Sequence, residues 1–254
     1  MTRSVISNLF HGRHGIRVKN KPQLLKKTVD SYMKQVPMVH EHCDRCLASA
    51  RWHGNALLMI IDAAFDSIGL NYFQSVVPKV ELFRLKYVDT GHIVSMEDLA
   101  AADVDGLKSL WKNARSWHVA IEVAAHLVTV KLRNGTGDRD ALIRWAQHAP
   151  LDGWEDDPVG SISGVGINTY QYLRMMGGVD TVMPDKIVKK VIYEILNIAG
   201  MERPDGDLEF IRMLETLAPQ TGYRAIELCW MTWLVQSEAG LSRTQKYADL
   251  LPKI

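Results

Sequence analysis

The sequence predicts an all-α chain, and three observations carry that expectation. Apolar residues recur at helical spacing, most clearly Ile187, Val188, Val191, Ile192, Ile195, Leu196 and Ala199. Helix start and stop signals punctuate the chain, from Gly54-Asn55 through Ser95-Met-Glu-Asp98 to Gly177-Gly178. Strand-like alternation is almost absent. The 254 residues suffice for one domain of two lobes or for two small domains, and 47% hydrophobic with 23% charged residues is the balance of a water-soluble globule. The most apolar run, Ala56 to Phe65, is interrupted by Asp62 and is too short to span a bilayer. A net charge of +1 neither demands nor excludes nucleic acid, so local clustering of charge decides.

Residues 1 to 34 carry Arg3, Arg13, Arg17, Lys19, Lys21, Lys26, Lys27 and Lys34 against a single acid, Asp30. Three readings fit: a basic arm for the DNA backbone, a solvated terminus, or a transit peptide. Nothing resembles a secretory signal, and the expected location is intracellular: cytoplasm or nucleoid, or nucleus or organelle in a eukaryote. The next cluster, His40, His42, Cys43 and Cys46, offers zinc-type ligands at helical spacing, set against the alternative of free thiols in a reducing compartment. Cys229 lies in a very apolar segment and reads as a small core residue.

Asn55 can cap a central helix that ends near Gly69. Residues 71 to 87 read as a helical stretch interrupted at Pro78. Ser95 to Asp98 forms a capping-box start, and a further helical segment is expected over 105 to 113, with Leu107, Leu110 and Trp111 apolar. Helices over 116 to 132 and 138 to 149 follow, separated by the turn signal Asn134-Gly135. Beyond a loop over 201 to 206, helices are expected over 208 to 217 and 223 to 238.

The stretch from Ile162 to Val191 carries the chemistry. Gly164 and Gly166 bracket Val165 in a tight turn, and a helix from Thr169 to Met176 follows at once. The first amides of that helix have no intrahelical acceptor, and its dipole adds positive charge, so the corner suits a phosphate. Met183-Pro184-Asp185 then opens another helix, with Pro at its first position and Asp in its first turn. Its apolar face is core; Lys186, Lys189 and Lys190 lie opposite. An acid at a helix N-terminus is expected to stay ionised at neutral pH. Taken alone, Asp185 also reads simply as a helix-start residue.

A Gly-Val-Gly hairpin, a helix, a short loop and an Asp that opens the next helix together resemble the helix-hairpin-helix DNA glycosylase superfamily, which includes endonuclease III, adenine mismatch glycosylases and alkylpurine glycosylases. The resemblance covers Ile162 to Val191 and extends more loosely to the two preceding helices. It implies a two-lobed fold, with residues 55–178 forming a helical barrel that ends in the hairpin. Residues 1–54 with 179–254 would form the second lobe, and Asp185 would stand at the cleft between them. It implies that Gly164, Val165, Gly166, Asn168 and Thr169 hold a DNA phosphate, that Lys186, Lys189 and Lys190 meet the backbone, and that Asp185 serves hydrolysis of the N-glycosidic bond. Phe65, Tyr72 and Trp154 are candidates for lining a pocket around a flipped base, although each also suits core.

Asn168 stands where lyase members carry a Schiff-base Lys, so base removal without strand cleavage is implied. Tyr170 replaces a small residue, Ile187 replaces a common His, and Lys190 stands where Arg is usual. Only Cys229 follows the motif, which leaves no iron-sulfur cluster. The expected cofactor is none, with at most a monovalent cation at the hairpin. The expected partner is double-stranded DNA with a damaged or mismatched base, bound by a monomer that has no membrane association. The alternative is a non-catalytic helix-hairpin-helix DNA-binding protein; a small-molecule enzyme on a helical scaffold is a third reading. Alkylated purines, uracil, deaminated purines and mismatched bases all remain open as substrates.

Overall fold

A computed structural model describes residues 20–238 and 241–254; Arg3, Arg13, Arg17 and Lys19 of the basic segment lie outside them. The described residues are mostly helical, with one two-stranded pair among them. In order the helices are α1 (Lys21–Met33), α2 (Val39–Leu47), α3 (Ala56–Asp66), α4 (Val77–Phe83), α5 (Met96–Ala100), α6 (Val104–Leu107), α7 (Ala114–Asn134), α8 (Asp138–His148), α9 (Ile167–Met176), α10 (Lys186–Ile198), α11 (Asp207–Thr221), α12 (Ala225–Leu234) and α13 (Arg243–Lys246). Among the described residues no helix is long and apolar enough to cross a membrane.

Local chemistry explains most boundaries. Asn55 caps α3, its side-chain oxygen accepting from the Leu58 amide at 3.2 Å. Ser95 and Asp98 form the expected capping box on α5. Pro78 is the second residue of α4 and follows a wide helical turn at Tyr72–Val76, so its missing amide falls where a first turn needs none. Two segments differ from expectation. The stretch 105 to 113 holds only the short α6, because Asn113 turns instead to cap α7 through the Ser116 amide. The last long helix ends at Leu234, and the chain then forms the antiparallel pair β1 (Ser237–Glu238) and β2 (Leu241–Ser242).

α3 is central and buried along Ala56–Phe65. It packs on α7, α8 and α9, and α7 in turn covers α5 and α8. The N-terminal helices pack against the C-terminal ones, α1 on α10, α11 and α12, and α2 on α12. The turn before α3 is strained: Ser49, Trp52 and His53 take φ of 49°, 51° and 56°, a region non-glycine residues rarely occupy. That turn delivers Arg51 into the interior. Its guanidinium meets Asp62 at 3.2 Å, the hydroxyls of Tyr172 at 3.1 Å and Tyr72 at 2.5 Å, and the His42 ring at 3.2 Å. Asp62 also accepts from the Trp52 indole at 2.7 Å. Arg51 and Asp62 are both fully buried, a pair that an α-helical core tolerates only when it is hydrogen-bonded on several sides.

Candidate active site

The hairpin is built by Ile162 to Gly166. The Val165 amide donates to the Ile162 carbonyl at 2.9 Å and closes the turn. Gly164 takes φ +104°, and a Cβ there would approach Arg115 Nε at 2.9 Å and Val119 Cγ2 at 3.0 Å. Arg115, on α7, also donates from Nη2 to the Gly164 carbonyl at 3.2 Å. Gly166 is the N-cap of α9, its backbone is extended, and a Cβ there would meet nothing within 4 Å. The amides of Ile167, Asn168 and Thr169 therefore open the helix without an intrahelical acceptor, beneath an uncovered glycine. Gly164→Ala is expected to destabilise the fold by about 1–2 kcal/mol, because the left-handed backbone disfavours any Cβ. Urea denaturation measures this, and a midpoint equal to that of the natural protein would count against the strain.

Val165 differs from its expected role. Its amide is spent inside the turn and its side chain packs on the core, so it offers nothing to a phosphate.

Asp185 stands one step from its expected position. Pro184 precedes the helix rather than opening it, and Asp185 is the N-cap of α10. Its Oδ1 accepts from the Ile187 amide at 2.6 Å and the Val188 amide at 2.8 Å. The Trp233 indole and the Arg243 guanidinium lie near the carboxylate and also favour its charged form. Burial pushes the Asp185 pKa above the ordinary value, and the hydrogen bonds from the Val188 and Ile187 amides only partly offset this. The direction is the opposite of what a helix N-terminus alone would produce, because burial outweighs the amide hydrogen bonds.

The hairpin and Asp185 line one cavity of about 650 Å³. Gly164, Gly166, Asn168 and Thr169 form one wall, Asp185 and Lys186 another, and Asp66 at the end of α3 a third. Arg115, Arg243 and Trp233 also line it. Arg243 is anchored by Glu238, whose Oε1 accepts from Nε at 2.7 Å, while the guanidinium lies 4.9 Å from the Trp233 ring centroid. Its Nη1 is buried and without a hydrogen-bond partner, a donor free for a ligand. Burial alone would raise the Glu238 carboxyl, but hydrogen bonds from Tyr247, Lys246 and Arg243 hold it at about 2, so this anchor stays ionised.

Asp66, Arg115, Arg243 and Trp233 were not legible as site residues in the sequence. Asp66 carried a faint signal, an acid closing an apolar helix; the others carried none.

Other candidates fall elsewhere. Lys186 reaches the cavity, and Lys190 is exposed. Lys189 pairs with Asp207 instead and lies over Phe210, because α11 starts beside it. Phe65 is corrected to core: it is fully buried, stacked on Trp111 at 4.4 Å and edge-on to Trp117 at 4.9 Å. Trp154 is half-buried against Tyr170 and does not line the cavity. Tyr72 is buried with its hydroxyl on Asp62 at 2.9 Å, and its ring lines a narrow recess with Asp66, Tyr172, Met183, Trp230 and Trp233.

The zinc candidates are separated by their partners. His40 Nδ1 meets Glu227 at 2.7 Å, and His42 is held by Arg51 and lies edge-on to Trp230. Cys43 and Cys46 are buried thiols whose pKa values burial pushes up. Among the described residues no group of three such side chains is arranged for a metal.

Comparison of the chain with protein-family models, with curated proteins and with solved structures found no match.

Proposed function

We propose that the protein is a monofunctional DNA glycosylase, removing a damaged or mismatched base by hydrolysis of its N-glycosidic bond. The observation that carries this reading is the meeting of the hairpin amides and the Asp185 carboxyl in one cavity. A cavity of about 650 Å³ has room for a nucleotide turned out of the duplex. In this reading α3 to α9 form the barrel lobe, and α1, α2 and α10 to α12 form the second.

The amides of Ile167 to Thr169 hold a backbone phosphate, assisted by the helix dipole and the free donor of Arg243. The phosphate places the sugar between the hairpin and α10. As the glycosidic bond breaks, positive charge builds on the sugar, and the Asp185 carboxylate stabilises it across a short, poorly solvated gap. Its two amide bonds to Oδ1 hold the carboxylate in place in advance, so little reorganisation is needed. Asn168 is exposed at the cavity and its amide is not nucleophilic, which accords with base release without a Schiff base. Duplexes each carrying one lesion, incubated with the protein and then treated with hot alkali, test the reading: strand breaks should appear only after alkali.

A second reading, a DNA-binding protein without catalysis, is favoured by the N-cap role of Asp185, which alone would explain an acid at this position. The same panel separates the two, since binding without alkali-labile sites supports the second.

Gly166→Val tests the phosphate site. The substitution is sterically free inside the protein, but Val is a poorer N-cap than Gly, so folding should weaken by about 1 kcal/mol without being lost. The side chain would occupy the space above the amides. Affinity should fall alike for all sequences, with a slope against salt reduced by about one phosphate contact. An unchanged slope in fluorescence anisotropy titrations would count against the hairpin.

A further inference from the structure

We propose that Asp66 is the proton donor to the departing base, and that the base is an uncharged purine. This rests on the glycosylase reading of the same site and names its substrate class. Asp66 closes α3 and faces the cavity that also holds Asp185. With Met183 and Trp233 it also lines the adjoining narrow recess of Tyr72, Tyr172 and Trp230, which has room for about one water, so a base would lie in the larger cavity beside the Asp66 carboxyl. Unlike those of Asp62 and Asp185, its side chain makes no hydrogen bond or ion pair among the described residues, so its carboxyl is free for a ligand.

Its protonation follows from its surroundings. Burial pushes the Asp66 pKa up to about 8, the charges of Asp62 and Asp185 add to this, and Arg51 opposes it. The C-terminal end of α3, with its negative partial charge, acts in the same direction as the acids. Tyr72 and Tyr172 face it from the recess, and Arg115, Lys186 and Arg243 line the cavity around it. At neutral pH the group is therefore mostly a carboxylic acid, beside Asp185, whose charged form is favoured by two amide hydrogen bonds.

Such a pair suits one kind of leaving group. A neutral purine departs poorly as an anion, but its ring nitrogens are basic enough to accept a proton from a carboxylic acid. An alkylpurine is already cationic and needs no acid, and the carbonyl oxygens of uracil are far less basic. In the step proposed, the Asp66 proton passes to a ring nitrogen, the glycosidic C–N bond breaks, and its electron pair stays with the base. Asp185 stabilises the cationic sugar, water adds to the anomeric carbon, and the proton that water loses passes to Asp185 and then to solvent. Asp66 is reprotonated from solvent, so the balance is one water consumed, one abasic site and one neutral purine released.

Single-turnover excision from duplexes carrying hypoxanthine, 7-methylguanine or uracil tests this with the whole protein. The natural protein should release hypoxanthine, with a rate that falls as pH rises through about 8 as the acid is lost. Asp66→Asn, which keeps shape, should slow hypoxanthine release about a hundredfold and leave 7-methylguanine release within about threefold, since general acid catalysis typically supplies a factor of that order. Equal losses on both lesions would mark a structural role and overturn the proposal, as would an unchanged hypoxanthine rate. Should Asp66→Asn fail to fold, the pH profile of the natural protein decides: a rate still rising or flat above pH 8 overturns the proposal. Release of uracil or 7-methylguanine but not hypoxanthine would overturn it and leave the glycosylase reading standing, whereas release of nothing would remove both.

Discussion

Asp185→Asn is expected to abolish base excision while DNA affinity stays almost intact. Asn is as good an N-cap as Asp, and its side-chain oxygen can still accept from the Ile187 and Val188 amides, so α10 should start where it does now. What is lost is the negative charge facing the sugar. Removing a preorganised electrostatic group of this kind typically costs about a hundredfold to a thousandfold in rate. The affinity term comes mainly from phosphate contacts, which the substitution leaves alone. Single-turnover kinetics with a substrate found in the lesion panel, together with anisotropy titrations, measure both quantities. Normal excision by the variant would show that Asp185 only caps its helix. On the proposed reading, the natural protein should also lose rate on the acid side at a pH above the ordinary Asp value, because burial raises the Asp185 pKa and protonation removes the charge.

Arg51→Met is expected to be the most destabilising single change, by about 3–5 kcal/mol, the usual consequence of leaving one partner of a buried ion pair alone. Met matches the length of the side chain and fills most of its volume, so the loss reports charge rather than a cavity. Asp62 would keep its bonds from the Trp52 indole at 2.7 Å, Tyr72 at 2.9 Å and Tyr172 at 3.0 Å, but its charge would have no counterion. Adding Asp62→Leu to Arg51→Met should recover part of the loss, since an apolar pair costs no desolvation. Urea denaturation of the single and double variants measures this. A loss below about 1 kcal/mol for the single variant would mean that the pair is not an uncompensated charge risk. The result bears on the site as well, since Tyr72 and Tyr172 donate their hydroxyls to Asp62 and also line the recess.

Much of the helical order was legible because its causes are local. Asn55 and the Ser95–Asp98 box set helix starts through bonds that reach only three residues along the chain, and Gly177-Gly178 ended α9 for the same kind of reason. The hairpin and the placement of Asp185 at a helix start were legible too, since both depend on turn and cap chemistry within a few residues. The α6 region was misread because Leu107, Leu110 and Trp111 reported burial, and burial at helical spacing does not require a helix.

The sequence by itself determined the helical class, most element boundaries, the Gly164–Gly166 turn and the carboxyl that opens α10. Tertiary structure alone decided which side chains share the cavity. Asp66, Arg115 and Arg243 come from segments far apart in the chain, and no spacing rule links the end of α3 to the start of α10. It also decided the fate of side chains whose type permits several: Phe65 became core through Trp111 and Trp117, and His42 became a partner of Arg51 rather than a metal ligand. The physical reason is one of range. Backbone hydrogen bonds and caps are satisfied within a turn of chain, whereas burial, ion pairing and raised pKa values are set by whatever distant element packs alongside.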